Sequence, residues 1–198
     1  MRKNLSRVTF PFLNLFFYII IQNSFSINPT LSGYAMEFKR DKYIEVLIYL
    51  IAKTMSKKNV GKTVLANLLY FVDFDYYELY GESLTGERYF KTINGLKPKH
   101  FDDILIDLIQ RDIIYLKRES YYDNNLKKYF IVKIPDNRFS KKEYFVIRDV
   151  LDRFSDKSAT KLNYIISRDY PFKHALLDEE INYECVFHRE NDYSVRKE

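Results

Sequence analysis

The sequence is poor in cysteine, glycine and proline, and it has no tryptophan. One cysteine, Cys185, stands among 198 residues, so the chain cannot form an internal disulfide, and this suits a reducing compartment. Five glycines and five prolines are spread along the chain, without a low-complexity linker or an internal repeat. These absences exclude a disulfide scaffold and favour a single folded domain.

Apolar side chains are abundant, whereas charge is nearly balanced outside the first segment. Hydrophobic residues make up 46% of the chain and aromatic residues 17%, which is enough to bury a core. Three of the five net positive charges belong to residues 1–35, which contain no acid, and this leaves a net charge of +2 for the rest. The overall charge therefore does not by itself predict nucleic-acid binding.

Residues 1–35 form a segment that we expect to lie outside the fold. A basic start followed by the apolar run Val8 to Ile21 has the outline of a signal peptide. The run is shorter than the about 20 residues that span a bilayer, so we expect no stable membrane insertion. The alternatives are translated upstream sequence before a start at Met36, an export signal or membrane-surface anchor, and a role in the fold. We expect the first, with a cytoplasmic protein and residues 36–198 as the domain.

Two helices are predicted directly after Met36. The first has apolar residues at helical spacing after an N-cap at Asp41. The second runs from Lys62 to Tyr80 and ends at Gly81, since glycine readily adopts the left-handed conformation that ends helices. Each has an apolar stripe, so we expect the two helices to pack together. In the second helix the stripe consists of Leu65, Leu68, Val72, Tyr76 and Leu79.

Three further helices follow a short predicted strand, Glu87 to Ile93, and an Asn-Gly turn. The third helix begins at Pro98, with two aspartates in its first turn. Ser140 and Glu143 form a capping box at the start of the fourth, and the fifth runs from Ser158 to Ser167. The predicted core face of the fourth helix consists of Tyr144, Ile147, Leu151 and Phe154.

The predicted fold class is α+β, mainly helical. Two segments rich in β-branched and aromatic residues, Ile113 to Lys117 and Lys128 to Ile134, predict a β-hairpin between the third and fourth helices. This gives a compact helical domain with one β-hairpin and a winged-helix-like order of elements. From Asp169 onward the sequence shows no clear period, so we expect a mostly irregular tail on the surface.

The motifs that could carry chemistry are incomplete. Gly61-Lys62-Thr63 resembles the end of a phosphate-binding loop, but Ser56 stands where that motif needs a glycine, and the preceding residues are predicted helical. Cys185 and His188 have the spacing of half a zinc site, and the other half is missing. The sequence therefore predicts no enzyme activity, no metal and no cofactor.

The predicted hairpin is the one basic element. Nine lysines or arginines stand against four acids from Arg111 to Lys142. A basic hairpin of this kind could contact the phosphates of a nucleic acid. Lysines that keep an exposed hairpin edge from pairing with other strands would give the same sequence pattern. The nucleic-acid alternative would use Lys117, Arg118, Lys127 and Lys128.

The chain resembles the SocA-like, Panacea-domain antitoxins of bacterial and phage type II toxin–antitoxin systems. The residues that carry the resemblance run from Asn59 to Phe90 (NVGKTVLANLLYFVDFDYYELYGESLTGERYF), with NGLKPKHFDDIL, SDKSAT, DYPFK and the closing EEINYECVFHRENDYSVRKE further on. Its most specific parts are the tyrosine-rich helix with its G-x-x-L-T-G turn and the late I-x-Y-E-x-V-F.

The resemblance implies a non-enzymatic cytoplasmic protein that neutralises a cognate toxin, usually encoded next to it, by direct contact. A protease or chaperone system is a further partner compatible with such a role, and nucleic acid is a partner only in the alternative. Aromatic and arginine side chains typically anchor protein interfaces, and core packing is the other interpretation of each tyrosine. The candidate toxin contacts on family motifs are Tyr76, Tyr77, Tyr80, Arg88, Tyr89, Phe172 and Tyr183.

Overall fold

The computed structural model describes residues 36–121, 124–132, 138–190 and 192–196. The expected class, mainly helical α+β, is confirmed, whereas the expectation for residues 1–35 lies outside the described residues. In chain order the elements are α1 (Arg40–Thr54), α2 (Lys62–Tyr80), β1 (Tyr89–Thr92), β2 (Gly95–Pro98), α3 (Phe101–Gln110), β3 (Ile114–Tyr121), β4 (Asn124–Ile131), α4 (Lys141–Phe154), α5 (Ala159–Arg168), α6 (Tyr170–His174) and the 3-10 helix η1 (Tyr183–His188).

Helix α2 lies at the centre of the domain. Its predicted bounds are confirmed, and Gly81 ends it in the left-handed conformation with φ 72°. The prediction of a single buried stripe is too narrow, because 14 of its 19 residues are buried, so neighbours cover most of its circumference. Aromatic stacking joins it to those neighbours, with ring centroids 4.1 Å apart for Phe71 and Phe154 and for Phe74 and Tyr183.

The start of α1 lies two residues before the predicted one. Lys39 is the N-cap, and Asp41 lies in the first turn, where its negative charge faces the positive end of the helix dipole. Tyr43, Val46, Leu47 and Leu50 are fully buried. They supply the apolar face that packs on α2, as the helical spacing predicts.

A small hairpin, β1–β2, follows α2, and the sequence predicted only its first strand. The strands are antiparallel, with Tyr89 opposite Pro98 and Thr92 opposite Gly95. Gly95 has φ 100°, a conformation that side chains disfavour and glycine permits. The segment before η1 extends this sheet, since the Ile181 N–H donates to the Tyr89 carbonyl at 2.7 Å.

The one predicted hairpin is confirmed as the second hairpin of the chain, with longer strands, β3 and β4. Ile114 and Tyr129 are buried at its base, and β4 approaches the start of α2. A Cβ on Gly61 would lie 2.4 Å from Leu126 Cδ1 and 3.1 Å from the Lys127 carbonyl oxygen. Because the hairpin packs this closely, glycine suits position 61 for steric reasons, independently of any phosphate loop.

The predicted capping box at the start of α4 is confirmed, whereas its predicted core face is partly wrong. Ser140 accepts from the Glu143 N–H, and Glu143 accepts from the Ser140 N–H at 2.7 Å. Apolar residues cover a wider part of the α4 surface than the part that packs on the domain. Helical spacing alone therefore does not decide which of these residues are buried. Tyr144 is 46% exposed, and the buried residues are Val146, Ile147, Val150 and Phe154.

The prediction of an irregular surface tail after Asp169 is wrong. Helices α6 and η1 lie there, and Ile181, Tyr183 and Val186 are at most 2% exposed. These elements are only five and six residues long, so no period could emerge from the sequence. The C-terminal part is therefore a component of the core.

Candidate partner-binding surface

The three tyrosines at the end of α2 face two different neighbours. Tyr76 is buried and packs on Tyr80, with ring centroids 4.7 Å apart, and the Lys142 ammonium lies 4.7 Å from the Tyr80 ring. Tyr77 is half-buried and donates from its hydroxyl to Glu184 on η1. Tyr76 and Tyr80 therefore belong to the side near α4, and Tyr77 belongs to the side near η1.

The glycine turn after α2 is held by the buried side chain of Asp73. Its carboxylate accepts from the Thr85 N–H at 2.8 Å, from the Thr85 hydroxyl at 2.5 Å and from the Tyr89 hydroxyl at 2.8 Å. Burial raises the pKa of Asp73 to about 6, although these hydrogen bonds oppose the rise. The turn thereby fixes the backbone just before Arg88, which lies at the surface.

Besides Tyr76, three more of the candidate contacts lie inside the domain. Tyr89 is fully buried, Tyr183 is 2% exposed and Phe172 is 8% exposed. The Tyr183 hydroxyl donates to the Glu87 carbonyl at 2.7 Å, and burial, as the largest cause, raises the pKa of Tyr183 well above its usual value. Their burial and hydrogen bonding fit the core-packing interpretation of these aromatic residues.

Tyr77 and Arg88 lie with η1 and the segment before it on one surface, which we call the η1 face. It comprises Tyr77, Arg88, Glu180, Glu184 and Phe187. Arg88 pairs with Glu180 at 2.5 Å, with side chains 44% and 38% exposed, and the rings of Tyr77 and Phe187 are 5.9 Å apart. Phe187 is 40% exposed. The η1 face thus combines aromatic rings with one arginine and two carboxylates, as protein interfaces commonly do.

A buried network of charged side chains joins the end of η1 to α2 and to Asp169. The sequence did not predict it. The guanidinium of Arg189, 1% exposed, donates to Asp75 at 2.7 Å and Glu78 at 2.8 Å, and to both oxygens of Asp169 at 2.9 and 2.7 Å. Tyr70 adds a hydroxyl donor to Asp169 at 2.8 Å. Burial would lower the pKa of Arg189, but these carboxylates outweigh it and raise the pKa well above its usual value.

Two further arginines extend the network. Arg153 of α4 pairs with Asp75 and with the half-exposed Asp149, and Arg196 pairs with Glu78 at 3.3 Å, so each end of the buried network receives a second guanidinium group. Asp75 points away from Asp73, as residues two positions apart on a helix do. Arg189 lies 20 residues after Asp169. Contacts between such distant segments follow no period, so the sequence does not indicate this pair.

The four hairpin residues of the nucleic-acid alternative do not form one basic strip. Lys117 is opposite Lys128, and Arg118 is opposite Lys127, so successive pairs point to opposite faces. The Lys128 side chain is 4% exposed and pairs with Glu119 at 3.1 Å, and Glu119 also pairs with Lys117 at 3.2 Å. Arg118 and Lys127 are the exposed pair that remains on the other face.

The structure shows the environment of the two incomplete motifs, the phosphate-loop-like segment at Lys62 and the cysteine of the half zinc site. Lys62 pairs with Asp102 of α3 at 2.5 Å, and Cys185 is half-buried on η1. Within the described ranges, three His, Cys, Asp or Glu side chains that could hold a metal ion do not come together. Among the helices that the structure describes, none is both long and apolar enough to cross a membrane.

Comparison with family models matches residues 65–169 to the family described as antitoxin SocA-like, Panacea domain. The matched segment is just over half of the chain. It runs from α2 through α5, and so contains the aromatic helix, the glycine turn and both hairpins. No curated protein and no solved structure matches the chain.

Proposed function

Because the chain belongs to the antitoxin SocA-like family with a Panacea domain, we propose that it is an antitoxin that neutralises a cognate toxin by direct protein–protein contact, without catalysing a reaction. The toxin is the product of a neighbouring gene, and both proteins act in the cytoplasm. The family match is the observation that carries the proposal, since it covers most of the central helix and the elements from β1 through α5.

The η1 face is the proposed toxin contact. Tyrosine and phenylalanine anchor interfaces because they bury large areas with few rotatable bonds, and arginine does so because its guanidinium offers several donors. Tyr77, Arg88 and Phe187 supply these groups at half-exposed positions. The Arg189 network holds η1 against α2, so the face is ordered before binding, which lowers the entropy lost on association.

Arg88 is the residue on which we expect binding to depend most. Its pair with Glu180 is solvent-exposed, and exposed pairs contribute on the order of 0–1 kcal/mol. The guanidinium can therefore exchange Glu180 for a carboxylate of the toxin at little cost. A pair that becomes desolvated in the complex is worth more than the exposed pair it replaces.

A growth assay tests the proposal. The product of the neighbouring open reading frame is expressed alone and together with this chain, and growth is followed after induction. We expect growth arrest by the neighbour alone, rescue by the wild-type chain, and loss of rescue with Arg88→Glu, which reverses one charge on the η1 face.

The matched control is Arg118→Glu, which makes the same charge reversal on an exposed hairpin residue. It should rescue growth as well as the wild type. A neighbour that is harmless when expressed alone counts against an antitoxin function. Loss of rescue with Arg118→Glu but not with Arg88→Glu would move the contact from the η1 face to the hairpin.

A further inference from the structure

Helices α1 and α4 lie side by side and run in the same direction. Lys42 pairs with Glu143 at 3.1 Å near their starts, and Lys57 donates to the Ser155 hydroxyl at 2.7 Å near their ends. Between these points the rings of Tyr49 and Tyr144 are 6.4 Å apart. Large side chains bridge the two helices, and the outer face of α4 is left to solvent.

Two adjacent aromatic residues on that outer face are exposed. Tyr144 is 46% exposed and Phe145 is 60% exposed, although α4 has a buried face of its own elsewhere on its circumference. The ring of Tyr144 is supported by Tyr49, which packs in turn against Phe139 at 5.2 Å. The Tyr144 ring thus rests on an aromatic base that fixes its position, and Phe145 projects beside it.

Cations flank these rings one turn before and one turn after them. Lys141 and Arg148 lie three or four positions from Tyr144 and Phe145 on α4 and are exposed, so all four side chains share one side of the helix. We call this set the α4 ridge. Its two cations are separated by about 10 Å along the helix axis. Lys53 of α1 adds a third, with its ammonium 5.2 Å from the Tyr49 ring.

Most carboxylates near the α4 ridge already have a cationic partner. Glu45 and Glu143 pair with Lys42 at 2.7 and 3.1 Å, and Asp149, one turn after Phe145, pairs with Arg153 at 2.6 Å. The Arg148 pair with Asp152 is long at 3.6 Å, with side chains 69% and 71% exposed. Such a pair contributes little, so the cations of the α4 ridge remain available to an anionic partner.

The position of Lys141 is electrostatically unfavourable for α4 itself. It lies in the first turn, where the partial positive charge of the helix dipole disfavours cations. Helix stability therefore gives no reason for a lysine at this position. An anionic ligand does give one, because the lysine and the helix start would then attract the same charge.

We propose that the α4 ridge binds single-stranded nucleic acid. Bases stack on exposed aromatic rings regardless of sequence, and nearby lysine and arginine side chains bind the phosphates. The α4 ridge places two rings between two cations, whereas the exposed hairpin cations, Arg118 and Lys127, lie opposite each other across two strands. The single strand is favoured over a duplex because a duplex keeps its bases stacked inside.

Fluorescence anisotropy with labelled oligothymidine and oligouridine at low salt tests the proposal. The full chain should bind, and its affinity should fall steeply as salt rises because bound counterions are released. Tyr144→Ala combined with Phe145→Ala should weaken binding at least tenfold, and Lys141→Glu combined with Arg148→Glu should abolish it. All the substituted side chains are exposed, and circular dichroism and thermal unfolding verify that the variants remain folded.

The control is Arg118→Glu combined with Lys127→Glu on the hairpin, which should bind like the wild type. Conservative exchange of the two rings, Tyr144→Phe with Phe145→Tyr, should also preserve binding. Absence of binding to either oligonucleotide, an equal loss in the hairpin variant, or equal binding after both rings are removed would overturn the proposal. Binding to a polyglutamate peptide but to neither oligonucleotide would overturn it in favour of an acidic protein partner.

Discussion

At the scale of single residues, the turn after α2 shows why its sequence motif takes the form L-T-G. Leu84 is buried, and Thr85 donates to Asp73. Gly86 has φ 68°, and a Cβ there would lie 2.0 Å from the Glu37 carbonyl oxygen. The motif thus joins the segment before α1 to the end of α2 through a contact that only glycine allows.

Substituting the two glycines that flank this turn separates strain from steric overlap. Gly81→Ala adds a methyl group to a left-handed residue with nothing within 4 Å, and it should cost about 1–2 kcal/mol of unfolding free energy. Gly86→Ala adds a clash with backbone to the same kind of strain, and it should cost about 3 kcal/mol or more. Urea unfolding measures both, and an equal loss at the two positions would contradict the close approach to Glu37.

At the scale of elements, Arg189 joins parts of the chain that local patterns keep separate. Its partners lie on α2 and at the junction of α5 and α6, while Arg189 itself follows η1. Buried ion pairs add little net stability when complete, because desolvation offsets their attraction. Removing one member is costly, since it leaves the opposite charges buried without a partner.

Arg189→Ala should therefore lower the free energy of unfolding by about 3–5 kcal/mol. Arg189→Lys should recover only part of this loss, because an ammonium cannot reproduce the two-pronged contact with Asp169. Arg88→Ala removes an exposed pair and should change stability by less than about 1 kcal/mol. Urea unfolding of the three variants tests this order, and a loss at position 189 no greater than at position 88 would contradict the structural role of the network.

At the scale of the whole molecule, local signals in the sequence were enough for the five longer helices, α1 to α5, and for the fold class. The capping box at Ser140 and the glycine end of α2 work over a few residues, and both predictions are confirmed. The integration of residues 169–190 into the core depends on pairs such as Arg189 with Asp75, 114 positions apart. Such contacts leave no period or spacing in a single sequence.

The candidate site, too, was predicted from the sequence only in part. A resemblance of motifs identified the tyrosines of α2, but it could not separate buried from exposed side chains, because tyrosine serves both environments. Burial assigns Tyr89 and Tyr183 to the core and leaves Tyr77 and Arg88 half-exposed or exposed. Phe187 joins them through the fold of η1, which periodicity did not predict.

The most direct test of the central claim is the dissociation constant of the complex between this chain and the purified product of the neighbouring gene, measured by isothermal titration calorimetry. The account predicts saturable binding that Arg88→Glu weakens at least tenfold and that Arg118→Glu leaves unchanged. If the chain suppresses the toxicity of that product in cells but the two purified proteins do not bind, neutralisation by direct contact is wrong.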